Sequence, residues 1–339
     1  MIKNINDIMK VLVTGADGFI GSHLCQHLLN KKYDVKALCQ YNSWTSSGWL
    51  DAISKEEYDS INIIHGDIRD AAQINNLLAD VDIVYHLAAL ISIPYSYSSP
   101  ISYAQTNTLG TINILNSCLQ HDVERLIHTS TSECYGNSLY VPMDEEHPLS
   151  AQSPYAASKI AADQFCLSFH KSYDLPVTIL RPFNTYGPRQ SLRAVIPSII
   201  MQVMKGKTTV SLGSLLPTRD FTHVFDTCDA FIKVCNAQTT IGHVINCASN
   251  FEVSIKEVVE IISRLLDSEI VVQTQQERVR PESSEIYRLF GDNSKIKNLT
   301  DWEPKFLGNA GFVNGLRQTI NWFYSNQNLS CYKSIGYTY

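Results

Sequence analysis

From Met9 to Asn184, short runs of apolar residues alternate with stretches in which apolar side chains recur every third or fourth position. Short continuous runs rich in Val, Ile and Leu fit strands buried on both faces, and the intervening pattern fits amphipathic crossover helices. The pattern predicts strands at 10–14, 34–39, 61–65, 83–87, 125–129 and 177–181, and helices at 19–30, 103–121 and 155–173. Strand and helix in strict alternation specify a parallel sheet with helices on both faces. Beyond Asn184 the alternation loosens. Helices are expected at 195–205, 254–266 and 312–324, with strand-like pieces at 209–212 and 242–246.

Composition narrows the class. A chain of 339 residues with 44% hydrophobic and 18% charged residues fits a soluble globular enzyme. A net charge of -6 without a basic stripe argues against nucleic acid as a partner, while leaving room for a few arginines around a phosphate. The nine cysteines show no CxxC spacing and sit mostly in apolar runs, so buried free thiols are expected rather than disulfides or a metal site. No apolar stretch reaches membrane-spanning length and no signal-peptide core is visible, so a cytoplasmic protein is expected, with residues 1–8 a short polar extension.

Thr14-Gly15-Ala16-Asp17-Gly18-Phe19-Ile20-Gly21 follows the first strand and opens the first helix. Glycines there allow a tight turn and close approach of a pyrophosphate to a helix N-terminus. In that context a dinucleotide site is expected, and with it a Rossmann-type, doubly wound α/β fold. Its dinucleotide-binding part is expected at 9–184 with a returning segment near 218–247. Residues 185–217 and 248–330 then form a smaller, mixed α/β C-terminal substrate-binding region. Gly15, Asp17, Gly18 and Gly21 are cofactor candidates, with Phe19 and Ile20 beside them as core contacts. Strand two ends Leu38-Cys39-Gln40-Tyr41-Asn42, with neither the carboxylate typical for NAD nor an arginine for NADP. Asp67, after strand three, is placed for the adenine edge or equally for a turn.

The second chemical signal is Tyr155-Ala156-Ala157-Ser158-Lys159, preceded by Ser130-Thr131-Ser132-Glu133. Tyr155 and Lys159 fall on one helical face a turn apart, and the ammonium is expected to lower the phenol pKa. Such a tyrosine takes a proton from an alcohol as hydride leaves the same carbon. Thr131 fits either catalysis or a strand-end bond to backbone, and Glu133 either a base or a loop carboxylate. Simple alcohol oxidation does not require that carboxylate. His86, ending strand four, reads as a satisfied core residue.

With TGADGFIG, STSE and YAASK in order, together with Asn107, the strand end Arg181-Pro182-Phe183-Asn184, Arg219-Asp220-Phe221 and Arg280-Pro281, the chain resembles the extended short-chain dehydrogenases/reductases that act on nucleotide sugars. The strings 88–97, 182–191 and 193–197 are similar to those of the 4,6-dehydratases acting on nucleotide-linked N-acetylglucosamine in legionaminic-acid-type pathways. The resemblance implies NAD as a retained cofactor, with Ile68, Leu87, Ala88, Ala89 and Asn107 among its contacts alongside Tyr155 and Lys159. It implies oxidation at C4 by Tyr155 with Lys159 and Thr131, abstraction at C5 by Glu133, loss of water from C6 and hydride return to C6. The dTDP-glucose 4,6-dehydratases carry Thr-Asp-Glu where this chain has Thr131-Ser132-Glu133, so their acid for the C6 hydroxyl is missing. Ser132 relaying through water and Glu133 passing on its proton both remain open, and TSE also occurs in nucleotide-sugar epimerases and decarboxylases.

The same resemblance offers Asn184, Arg189, Arg219 and Arg280 for the nucleotide diphosphate, and Ile93, Tyr95 and Val195 for the sugar pocket or for packing. The helices at 103–121 and 155–173 are expected to pair with a second copy in a homodimer, although packing within one chain gives the same pattern.

Overall fold

The computed structural model describes residues 8–275, 278, 284–325 and 332. Its centre is a seven-stranded, wholly parallel sheet. The strands are β1 (Lys10–Thr14), β2 (Asp34–Gln40), β3 (Asn62–Gly66), β4 (Ile83–His86), β5 (Arg125–Thr129), β6 (Val177–Pro182) and, later in the chain, β10 (Val244–Cys247). They run in the order β3-β2-β1-β4-β5-β6-β10, so the strand order reverses at β1. A crevice therefore opens at the carboxyl ends of β1 and β4, where ligands of such sheets bind. The doubly wound, Rossmann-type fold expected from the alternation is the one found.

Side-chain alternation along each strand feeds two cores. Val11, Val13 and Tyr85 pack with Leu24, Leu28 and Phe231, from helices Phe19–Asn30 and Val224–Asn236, on one face. Leu12 and Val84 pack with Ile74, Ile114 and Cys166, from helices Ala71–Leu78, Gly110–Gln120 and Pro154–Tyr173, on the other. Helix Val224–Asn236 escaped the sequence pattern because it is rich in β-branched and aromatic residues and buried on most of its circumference.

A separate core is built by helices Val195–Met204, Ile255–Leu266 and Gly308–Tyr324. They pack on β7 (Asn184–Tyr186), β9 (Thr218–His223) and β11 (Glu252–Ser254), and on the parallel pair β8 (Thr209–Leu212) and β12 (Val271–Thr274), while β13 (Arg288–Leu289) pairs with β9. A capping box starts Ile255–Leu266: the Ser254 hydroxyl accepts from the Glu257 N–H at 3.1 Å, and the Glu257 carboxylate accepts from the Ser254 N–H at 2.8 Å.

The approach to the last helix is pinned by Trp302, which is fully buried in the first core. Its indole donates to the Asp226 carbonyl at 3.0 Å, while the Asp226 carboxylate accepts the N–H groups of Lys305 and Phe306 at 2.9 and 3.0 Å. Trp302→Ala is expected to cost about 3–5 kcal/mol in urea unfolding, from the cavity and the orphaned carbonyl together. A loss under 1 kcal/mol would mean that this anchor is dispensable.

Candidate active site

The glycine turn fits the chain through its backbone. Gly15 has φ +69, and a Cβ there would lie 2.8 Å from the Ala88 nitrogen, so the β1 and β4 exits can approach only if residue 15 is glycine. At Gly21 a Cβ would meet the Gly15 carbonyl oxygen at 2.2 Å. The helix that follows begins at Gly18, whose position carries no side-chain cap, and has no acidic residue in its first turn. Its leading N–H groups and positive dipole end therefore face the crevice. A pyrophosphate fits this cradle by shape and by charge. The crevice wall behind it is fixed by a hydrogen-bond chain. The Thr14 hydroxyl accepts the Leu87 and Ala88 N–H groups, both at 3.1 Å, and donates to His86 Nδ1 at 2.8 Å. His86 Nε2 then donates at 3.0 Å to the Thr111 hydroxyl, which donates to the Asn107 carbonyl at 2.6 Å. This directionality requires a neutral His86, and burial holds its pKa well below the usual value. His86 is the satisfied core residue expected.

The helix Pro154–Tyr173 starts on a Ser153 cap, its hydroxyl accepting the Ala156 N–H at 3.1 Å, with Pro154 at the first position. The cap places Tyr155 and Lys159 in the first two turns, both buried. Thr131 sits opposite and does two things. Its hydroxyl accepts the Glu133 N–H at 3.3 Å, capping the turn Ser132–Tyr135, and it lies close enough to the Tyr155 phenol to favour the phenolate. Both readings of Thr131 therefore describe one oxygen. Ser132 is buried while Glu133 is partly exposed, and the Glu133 charge lies close enough to disfavour the Tyr155 phenolate. Tyr103, linked through its hydroxyl to the Ser92 carbonyl, sets its ring 6.2 Å from Tyr155 and 6.1 Å from Tyr95.

One expectation is corrected here. The Tyr155 pKa is raised rather than lowered. Burial pushes the phenol well up, the Thr131 hydroxyl opposes this, and neighbouring Cys134 and Glu133 add to the rise. Lys159 is itself pushed down by burial, with Asp163 opposing. Desolvation outweighs the helix-face pairing.

Beneath Lys159, Asp163 is fully buried. It accepts from Arg181 at 2.7 Å and from the Ser130 hydroxyl at 2.6 Å, joining the helix Pro154–Tyr173 to the ends of β5 and β6. His128 Nε2 stands 3.4 Å from its other oxygen. Burial raises the Asp163 carboxyl, but the His128 contact, the Arg181 charge and the Ser130 bond prevail and hold it down at about 2. Arg181 also lies over the Tyr135 ring at 4.6 Å. Asp163 and His128 were not singled out from sequence, although Asp163 follows Lys159 at i,i+4, a legible spacing.

The remaining predicted residues are distributed as follows. Asn107, in a π-helical turn Ala104–Leu109, spends its amide on the backbone. It accepts the Leu90 N–H at 2.8 Å and donates to the Leu90 carbonyl at 2.9 Å and to Ser158 at 3.0 Å. It thus positions the β4 exit against the helix Pro154–Tyr173 rather than offering its amide to a cofactor. Asp67 is a turn residue, forked by Arg69 Nε at 3.0 and 2.9 Å. Ile68 is buried in the core under Gly110. Ala89 lies between Ala88 and the Leu90 clasp. Arg189, expected at the diphosphate of the substrate, is buried with φ 68 and donates to Ser22 of the glycine-turn helix at 3.2 Å. Arg219 lies on β9, donating to the Thr218 carbonyl at 2.8 Å, with Glu285 3.7 Å away. Asn184, at the start of β7, keeps a buried amide oxygen with no hydrogen-bond partner among the described residues. Ile93 and Tyr95 belong to the short helix Ile93–Ser98, and Val195 packs against the smaller core. Arg280 lies outside the described residues.

Residues 12–313 match the protein family described as GDP-mannose 4,6 dehydratase. The chain is 32% identical to human dTDP-D-glucose 4,6-dehydratase over 325 residues, covering 94% of this chain and 90% of the human protein. The solved structure of DesIV, a dTDP-glucose 4,6-dehydratase from Streptomyces venezuelae with NAD bound, aligns with TM-score 0.82 at 28% identity, over 95% of this chain and 98% of that one. A UDP-N-acetylglucosamine 4-epimerase from Methanobrevibacter ruminantium M1, in complex with UDP-N-acetylmuramic acid, aligns with TM-score 0.84 at 32% identity, over 94% and 99%.

The floor of the site generates a stability test. Asp163→Ala strands the Arg181 charge, so urea unfolding near neutral pH should lose about 3–5 kcal/mol. The folded Asp163 value lies below the ordinary 3.8, so its stabilisation is complete above that value and is lost as pH falls towards 2. The variant should lack that component of acid destabilisation. A variant as stable as wild type, with the same acid limb, would show that the pair does not hold the site.

Proposed function

The chain belongs to the GDP-mannose 4,6 dehydratase family of extended short-chain dehydrogenases/reductases, and we propose that it removes water from a nucleotide-linked N-acetylglucosamine to give the 4-keto-6-deoxy sugar. It is an NAD-dependent enzyme of that family. UDP is the nucleotide favoured, with GDP second. Similarity to an enzyme named for UDP-N-acetylglucosamine supports this choice. The observation that carries dehydration is Glu133, a carboxylate set by the Thr131 cap into the same turn that faces the Tyr155 phenol.

Bound NAD supplies a hydride acceptor for C4 and the hydride returned to C6. The chain's own residues do the proton work. Tyr155 takes the C4 hydroxyl proton, with the Thr131 hydroxyl close enough to favour the phenolate that forms. Lys159, buried beneath, contributes positive charge in a low-dielectric setting. The C4 ketone acidifies the C5 proton, and Glu133 takes it. The proton needed by the departing C6 hydroxyl then comes from Glu133 itself, since Ser132, an alcohol, is too weak an acid. Asn184 and Arg219, from β7 and β9, are proposed to hold the nucleotide diphosphate.

Exposed Leu109, Leu119, Phe165 and Tyr173, along the two helical segments expected to pair, support a homodimer. No helix among the described residues is long and apolar enough to cross a membrane, and a cytoplasmic location is proposed with this function. Ser132, standing where dTDP-glucose dehydratases carry an acid, favours a second reading as a C4 epimerase.

Mass spectrometry of products from a panel of nucleotide-linked N-acetylhexosamines separates the two. Loss of one water without added reductant is expected, whereas a product of unchanged mass identifies the epimerase. Glu133→Gln should slow dehydration by about 10²–10⁴-fold while NADH absorbance still appears on adding substrate. Dehydration at the wild-type rate would remove Glu133 from the base role.

A further inference from the structure

β2 ends at Gln40, and no acid follows at the position where this fold usually presents a carboxylate to the adenosine ribose. The carboxylate nearest that position comes from the glycine turn instead. The Asp17 carboxyl, pushed up by partial burial, lies close enough to its own N–H and to that of Gln40, the last residue of β2, for both to favour its charged form. A carboxylate has about four acceptor positions, so two backbone donors leave capacity for a hydroxyl.

The surroundings hold Asp17 in that place. The Asp17 carbonyl accepts the Trp49 N–H at 3.0 Å. Gly48, with φ +62, lies so close that a Cβ there would be 2.8 Å from Asp17 Cβ. The loop between Gln40 and Gly48 is closed by the Asn42 amide, which accepts the Trp44 and Ser46 N–H groups at 3.1 and 3.2 Å and donates to the Gln40 and Ser46 carbonyls at 3.1 and 2.8 Å. Asn42 is therefore committed to the loop and leaves the ribose to Asp17.

Charge points the same way. From Leu38 to Ser54 the chain carries one acid, Asp51, and no lysine or arginine. Asp51 is occupied by Ser46 and Ser47, and Arg69, at the β3 exit, is forked onto Asp67. A 2′-phosphate would meet a carboxylate and, among the described residues of these segments, no uncommitted lysine or arginine, whereas a 2′-hydroxyl would meet an acceptor.

We propose that Asp17 is the residue that selects NAD over NADP in this chain, accepting a hydrogen bond from the 2′-hydroxyl of the adenosine ribose in place of the absent carboxylate at the end of β2. The assignment concerns cofactor binding alone, so it stands or falls separately from the sugar chemistry proposed above.

The test is equilibrium binding by calorimetry on protein freed of copurified nucleotide, with NAD, 2′-deoxy-NAD and NADP as titrants. Wild type should bind NAD about tenfold to hundredfold more tightly than 2′-deoxy-NAD, the range for one hydrogen bond to a charged acceptor, and NADP more weakly still. Asp17→Asn should bind NAD and 2′-deoxy-NAD within about threefold of each other, and Asp17→Asn/Gln40→Asp should regain the preference by restoring a carboxylate on β2. Equal affinity of wild type for NAD and NADP overturns the proposal without any variant. An undiminished preference in Asp17→Asn overturns it as well.

Discussion

A single buried carboxylate, Asp163, decides where the proposed reacting groups of this protein can stand. It lies in the interior with Arg181 at 2.7 Å and Ser130 at 2.6 Å, so three chain segments distant in sequence must converge on it. Ion pairs in such places contribute little net stability, because desolvation consumes most of the Coulomb attraction. What they impose is register. The helix Pro154–Tyr173 cannot slide along the sheet without parting Asp163 from Arg181, and the loop bearing Thr131 and Glu133 begins at Ser130. The positions of Tyr155 and Glu133 relative to one another thus descend from a contact neither of them makes.

That dependence explains the shape of what could be read in advance. Strand positions in the first half were legible to within a residue, because a parallel sheet buried on both faces leaves its mark as apolar runs, whereas the helix Ala71–Leu78 was not read at all. The glycine turn and the Tyr155–Lys159 pair were legible because local geometry dictates their spacing. The C-terminal half was less so. β7, β9, β11 and β13 are short and paired across long separations, and their apolar residues follow tertiary neighbours rather than a period.

Electrostatics was the least legible layer. Tyr155 and Lys159 stand one turn apart on one helix, yet the sign of the phenol's shift depends on how much water both have lost, which is a property of the assembled core. Asn107 and Arg189 illustrate the same limit. Their side-chain types suited a ligand, and the fold spends Asn107 on holding backbone and seats Arg189 against Ser22. Glu133 and Thr131 escaped that fate only in part, since Thr131 caps the turn with the oxygen that also meets the phenol.

The π-helical turn Ala104–Leu109 carries a consequence for how this protein can change in length. Such a turn holds one residue more than an α-helical turn. Deleting a single residue there would let the turn close to ordinary α-helical geometry, and the side chains within the turn would be re-aimed. Asn107 would swing away from Leu90 and Ser158, and with it would go the clasp between the β4 exit and the helix Pro154–Tyr173. Insertions and deletions are ordinarily absorbed by surface loops. Here the extra residue has been fixed inside a helix, where removing it would cost the alignment of two distant segments. The natural length variation of this fold should therefore fall almost anywhere else.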